Sequence, residues 1–140
     1  MRKSVATIVL GMAVAGIAMA SSTVLQAHHA FAAEFDARKE VTLKGAVTRV
    51  EWVNPHVWIH VDVTKPDGKV ESWAIEAGTP NVLFRRGVTK QSLKAGTEVV
   101  VDGYQAKDGS HRANGREVKL ADGSKLFLGG SGTGAPYEIK

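Results

Sequence analysis

Alternation of apolar and polar residues is clearest from His56 to Thr64 (HVWIHVDVT). Val57, Ile59, Val61 and Val63 fall on one face, and His56, Trp58, His60, Asp62 and Thr64 on the other. This period of two predicts a strand with one buried face. Lys65-Pro66-Asp67-Gly68-Lys69 has the composition of a hairpin loop. A five-residue loop pairs Thr64 with Val70 and sets Trp73 and Ile75 opposite Val61 and Ile59, so the apolar residues stay together. A two- or four-residue loop brings Glu76 among the valines and turns Trp73 outward, and the hydrophobic pattern selects against that register. The outward face of the hairpin then carries Trp58 beside Glu76, His60 beside Ala74 and Asp62 beside Ser72.

The flanking segments read similarly. Val41 to Trp52 is a strand with a bend or bulge at Gly45. Asn54-Pro55 initiates a turn. Thr79 is an N-cap for a short helix with Pro80 in its first turn, Val82, Leu83 and Phe84 on its apolar side and Gly87 at its end. Arg85-Arg86 reads as its solvated end, favourable near the C-terminal dipole. Thr97 to Gln105 is a strand and Lys107 to Ser110 a hairpin loop. Arg112 to Leu120 is a strand broken near Asn114-Gly115, Lys125 to Leu128 a last short strand, and residues 129–140, opening on GGSGTGA, a flexible tail. The order predicts a mostly β domain over residues 28–128. Its expected form is a small OB-like antiparallel barrel of five to six strands, with one short helix between strands three and four.

The N-terminal segment has a different character. Met1-Arg2-Lys3 is a basic start, and Ser4 to Ala33 carries no Asp, Glu, Lys or Arg. The apolar stretch Val5 to Ala20 is short for a membrane span and suits the hydrophobic region of a cleaved export signal. Residues 1–27 are therefore read as a signal peptide and the mature protein as periplasmic, touching the membrane only through that peptide. Ala18-Met19-Ala20 and Ala30-Phe31-Ala32 also fit a small-x-small cleavage rule. Leu25-Gln26-Ala27 departs from it at Leu25. Removing residues 1–27 takes away Arg2 and Lys3 and no acid, so the formal charge falls from +4 to +2 and 113 residues remain. That near-neutral balance argues against a nucleic-acid partner.

The chain of 140 residues has no cysteine. Disulfides, thiolate metal sites and cysteine nucleophiles are thereby excluded. Five histidines remain: His28, His29, His56, His60 and His111. Cleavage after Ala27 would set the free amine and imidazole of His28 beside His29, a donor set that suits Cu(II). His56 and His60 lie roughly 13 Å apart along a strand and cannot share one ion unaided.

In an OB-like barrel the face of strands two and three and the loops joining strands one–two and four–five bind ligands. Here that surface comprises Asn54, His56, Trp58, His60, Asp62, Glu76, His111 and Arg112. Trp58 can stack on a sugar or aromatic ring while the acids accept hydrogen bonds, so a small ligand such as an oligosaccharide, or an envelope protein, is the expected partner. Catalysis is not expected. Ser110-His111 lacks an orienting third group, and Gly129 to Gly132 lacks the Lys-Ser/Thr ending of a phosphate loop.

Three segments taken together resemble the DUF6152 family of small exported bacterial proteins. They are His28 to Asp36 (HHAFAAEFD), Glu51 to His56 (EWVNPH) and Gly103 to Ser110 (GYQAKDGS). The resemblance covers nearly all of residues 28–130. It implies a cleaved signal with processing just before His28 and a periplasmic location in a Gram-negative bacterium. It brings no activity, ligand or catalytic residue.

Overall fold

The computed structural model describes residues 30–130 and 133–138. The expected export signal and the His28-His29 pair lie outside them. A one-turn helix α1 (Ala30–Glu34) leads into strand β1 (Phe35–Glu51). Then follow β2 (Trp58–Thr64), β3 (Val70–Glu76), helix α2 (Pro80–Arg85), β4 (Glu98–Ala106), β5 (Arg112–Leu120) and β6 (Lys125–Phe127). A short 3-10 turn at Pro136–Glu138 ends the described chain. Among the described residues no helix is long and apolar enough to cross a membrane.

The six strands form one sheet in the order β3-β2-β1-β4-β5-β6. Strands β3 and β5 also pair with each other, so five of the strands close into a ring and β6 extends from β5. The protein is thus mostly β, with the expected helix between the third and fourth strands. The closing seam departs from an all-antiparallel arrangement, because Ala74, Ile75 and Glu76 run parallel to Arg112, Ala113 and Asn114. Closure covers the C-terminal part of the β3 edge, residues 74–76, which would otherwise present unpaired backbone groups.

The hairpin takes the register that the hydrophobic pattern selects. Thr64 pairs with Val70, Val61 with Trp73 and Ile59 with Ile75. Val57, Ile59, Val61 and Val63 all point inward and are buried, at 1%, 2%, 0% and 8% exposure. They meet Ile75, Val47, Val99, Val101, Ala113 and Val118 from the other strands. Each such aliphatic side chain contributes roughly 1.5–3 kcal/mol on burial. Helix α2 closes the core. The Thr79 hydroxyl caps it by accepting from the Val82 amide at 3.2 Å, and Leu83, Val88 and Leu93 enter the core from this segment.

Three local expectations are revised. The bulge in β1 falls at Thr48, between the Val47–Val61 and Arg49–His60 pairs, and not at Gly45. Gly45 has another role: a Cβ there would overlap the Asp62 carbonyl, so β1 and β2 cross too closely for any side chain. Strand β5 is not broken at Asn114-Gly115. It runs through, with Arg116 as the extra residue of a bulge against β4.

The glycine-rich C-terminal stretch also departs from a flexible tail. Gly129, Gly130 and Ala135 are buried, and the Phe31 amide donates to the Thr133 carbonyl at 3.0 Å. Ala135 and Tyr137 join Phe31, Phe35, Tyr104 and Ala106 in a second apolar cluster outside the ring. Phe31 lies edge-on to Tyr104 at 5.5 Å. Aromatic residues at Phe31 and Tyr137 supply the apolar area that the glycines lack.

Gly45→Ala is expected to lower stability by roughly 1–3 kcal/mol in urea unfolding, through overpacking against β2. Stability within about half a kcal/mol of wild type would contradict the close β1–β2 crossing.

Candidate functional site

The closed ring sets a row of residues side by side around its outer surface. Glu51 pairs with Trp58, Trp58 with Glu76, Glu76 with Asn114 and Asn114 with Tyr104. Strand alternation turns all of these away from the valine core. Glu76 is outward in register yet only 9% exposed, and Asn114 only 3%. Strand alternation alone places Glu76 on a wet face. The structure buries it, because Tyr137 arrives from the C-terminal segment and hydrogen-bonds its neighbour Asn114.

A connected polar cluster results. The Tyr137 hydroxyl donates to Asn114 Oδ1 at 2.9 Å, and Asn114 Nδ2 donates to Glu76 Oε1 at 3.3 Å. His56 Nδ1 lies 3.7 Å from the same carboxylate oxygen. Arg112 Nη2 pairs with Glu34 Oε2 at 2.9 Å, and its guanidinium stands 5.3 Å from the centre of the Trp58 ring. Trp58 is half-buried and Asn54 exposed beside it in sequence, on the loop that carries a cis Asn54–Pro55 bond.

Burial raises the Glu76 carboxyl above the usual carboxylate range. His56 opposes that shift, the Glu34 carboxylate adds to it, and the Asn114 hydrogen bond and Arg112 oppose it. Burial likewise pushes the Tyr137 hydroxyl up to about 12, so it remains a donor at neutral pH. The arrangement offers a π face, a fixed guanidinium, an imidazole and a carboxyl that gains a proton readily. Such groups recognise a polar ligand through hydrogen bonds and stacking.

The remaining expected site residues go elsewhere. His60 Nε2 is 2.8 Å from Glu51 Oε2, and the hydrogen bond from His60 holds the Glu51 carboxyl below the usual range. Asp62 accepts from Ser72 Oγ at 2.7 Å, at the far end of β2. His111 stacks on Trp73, with ring centres 4.9 Å apart at 21°, and not on Trp58. Of the eight expected residues, His56, Trp58, Glu76 and Arg112 therefore converge, with Asn54 on the adjoining loop. Glu34, Asn114 and Tyr137 complete the cluster and were not singled out from sequence. Parallel β3–β5 pairing, once assumed, would have brought out Asn114. No periodicity marks Glu34 or Tyr137.

Residues 14–115 match the family described as a family of unknown function, DUF6152, and the chain belongs to that family. No curated protein matches the chain. Among the described residues no group of three or more His, Asp or Glu side chains is arranged to hold a metal ion. His28 and His29, the expected copper donors, lie outside those residues.

Glu76 binds more protons folded than unfolded wherever its raised folded value exceeds the unfolded one. Its contribution to stability is therefore present at low pH and is lost as pH rises past the ordinary carboxyl range. Glu76→Gln mimics the protonated acid. Its melting temperature is expected to match wild type at acid pH and to exceed it increasingly toward neutral pH. A difference independent of pH would contradict the burial of this carboxyl.

Proposed function

We propose that this protein is an exported, non-catalytic binding protein of the periplasm. Its recognition site is the cluster of Trp58, Arg112, His56 and Glu76, with Asn54 at the rim, and its ligand is a small polar molecule of the oligosaccharide class. One observation carries this reading: a half-buried indole flanked by a guanidinium stands directly beside a buried carboxyl that is tied to an imidazole.

The energetics favour recognition over a purely structural role. Taking a carboxyl out of water costs stability, and apolar residues of similar volume at such positions are often neutral or stabilising. A site that needs these groups for a ligand accounts for their presence here. Trp58 provides a stacking face for a sugar ring, Arg112 and Asn54 donate to hydroxyl or acyl oxygens, and His56 serves as donor or acceptor. Nothing in the cluster pairs a nucleophile with a base and an oxyanion site, as catalysis by acyl transfer would need.

The expected result is saturable shifting of the Trp58 indole N–H and the Arg112 amide on NMR titration with N-acetylglucosamine oligomers or maltooligosaccharides. Asp62 and His111 should stay unmoved. Trp58→Ala should weaken binding roughly tenfold or more. Unmoved Trp58 and Arg112 signals across both sugar series would count against the reading.

Copper binding at the N-terminus is a second and separable proposal. His28 and His29 immediately precede α1, which Phe31 fastens to the second apolar cluster. A protein beginning at His28 would thus hold its amine and two imidazoles next to an anchored segment. Calorimetry with Cu(II) on the processed protein is expected to show binding that His28→Ala weakens by roughly tenfold or more. Equal affinities would remove the copper reading and leave the sugar reading untouched.

A further inference from the structure

Residues 77–97 contain Arg85, Arg86, Lys90 and Lys94 and no Asp or Glu. This segment is α2 and the turn that follows it. Its inner side is fixed by Leu83, Val88 and Leu93, at 0%, 2% and 4% exposure. The residues between them are turned outward: Phe84, Arg85, Lys90 and Lys94 are all exposed. None of the ion pairs among the described residues involves any of the four cations.

Phe84 is 69% exposed, more than any other large hydrophobic residue described, and belongs to neither apolar cluster. A second exposed aromatic stands nearby. Phe127 of β6 is 37% exposed and lies under the Arg86 guanidinium, 4.6 Å from its ring centre. Arg86 also donates to the Gly129 carbonyl, which fixes that contact. The outer side of the cap therefore combines exposed rings with cations that none of the described ion pairs engages, and residues 77–97 themselves contain no acid, the flanking ones being the buried Glu76 and the exposed Glu98.

We propose that this cap is a docking surface for an anionic phospholipid membrane. The cations meet the phosphate headgroups, and Phe84 enters the boundary between headgroups and acyl chains. Charge complementarity selects the lipid surface, since each Lys or Arg held near it strengthens binding about five-fold. The aromatic supplies the apolar anchor that a hydrated acidic protein surface would not use. This surface lies on the α2 segment and shares no residue with the Trp58 cluster, so the two proposals stand independently.

The test is vesicle flotation of the processed full-length protein, with phosphatidylcholine vesicles that either contain or lack phosphatidylglycerol. Wild type and variants must carry the same N-terminus, verified by mass spectrometry, because the apolar stretch before residue 28 would bind lipid by itself. The proposal expects tight binding only with phosphatidylglycerol and its release by high salt, as screening shortens the reach of the exposed charges. Arg85→Glu should lower the binding constant roughly tenfold or more, and Phe84→Ser should lower it several-fold. Both residues are exposed, and unchanged melting temperatures establish that the variants are folded. Equal binding to both vesicle types overturns the proposal, as does binding insensitive to both substitutions. Capture by polyglutamate without binding to phosphatidylglycerol vesicles overturns it in favour of an acidic polypeptide partner.

Discussion

The parallel seam between β3 and β5 is the constraint on which the rest of the molecule depends. Three residue pairs, Ala74–Arg112, Ile75–Ala113 and Glu76–Asn114, turn a curled sheet into a closed ring. On the inner side, Ile75 and Ala113 seal the aliphatic core, both at 0% exposure. On the outer side, the same three pairs bring Arg112 to Trp58 and Asn114 to Glu76. Gly115 sits just beyond the seam, where a Cβ would overlap the Ile75 side chain and crowd the Glu76 carbonyl. Closure needs that close approach, and glycine permits it.

The second consequence is electrostatic. A carboxyl on the outer surface of a sheet normally stays wet. Here α1 and residues 133–138 lie over the ring, and Phe31, Tyr104, Ala135 and Tyr137 form an apolar cover beside the row that holds Glu76. Glu76 then loses water and recovers part of that cost from Asn114 and His56. Arg112, held between Glu34 and the Trp58 ring, is the fixed positive charge of the cluster. Core packing, ring closure and the terminal cover thus jointly produce a place where a titratable group is both buried and next to an open aromatic face.

Much of the fold is legible in the sequence because its determinants are local. Four inward residues at alternate positions fix the orientation of β2. The Lys65–Lys69 loop fixes the β2–β3 register through the company each valine must keep, and Thr79-Pro80 fixes the start of α2. The site is legible only in half. Trp58 and Glu76 are cross-strand neighbours in a hairpin and follow from its register. Their partners do not, because Asn114 and Arg112 arrive through pairing across a long sequence separation, and Glu34 and Tyr137 through packing of α1 and residues 133–138. His111 illustrates the limit: it immediately precedes Arg112 but lies outside β5, and its ring stacks on Trp73 and not on Trp58. The glycines after Leu128 read as a flexible tail because composition does not reveal that Ala135 and Tyr137 find an apolar surface to cover.

Closure through β3 and β5 is tested most directly by nuclear Overhauser contacts in solution. The account predicts backbone contacts of parallel type between residues 74–76 and 112–114, together with side-chain contacts from Ile75 to Ala113 and from Trp58 to Arg112. An open sheet, with no contact between these two segments and rapid amide exchange along β3, would contradict it.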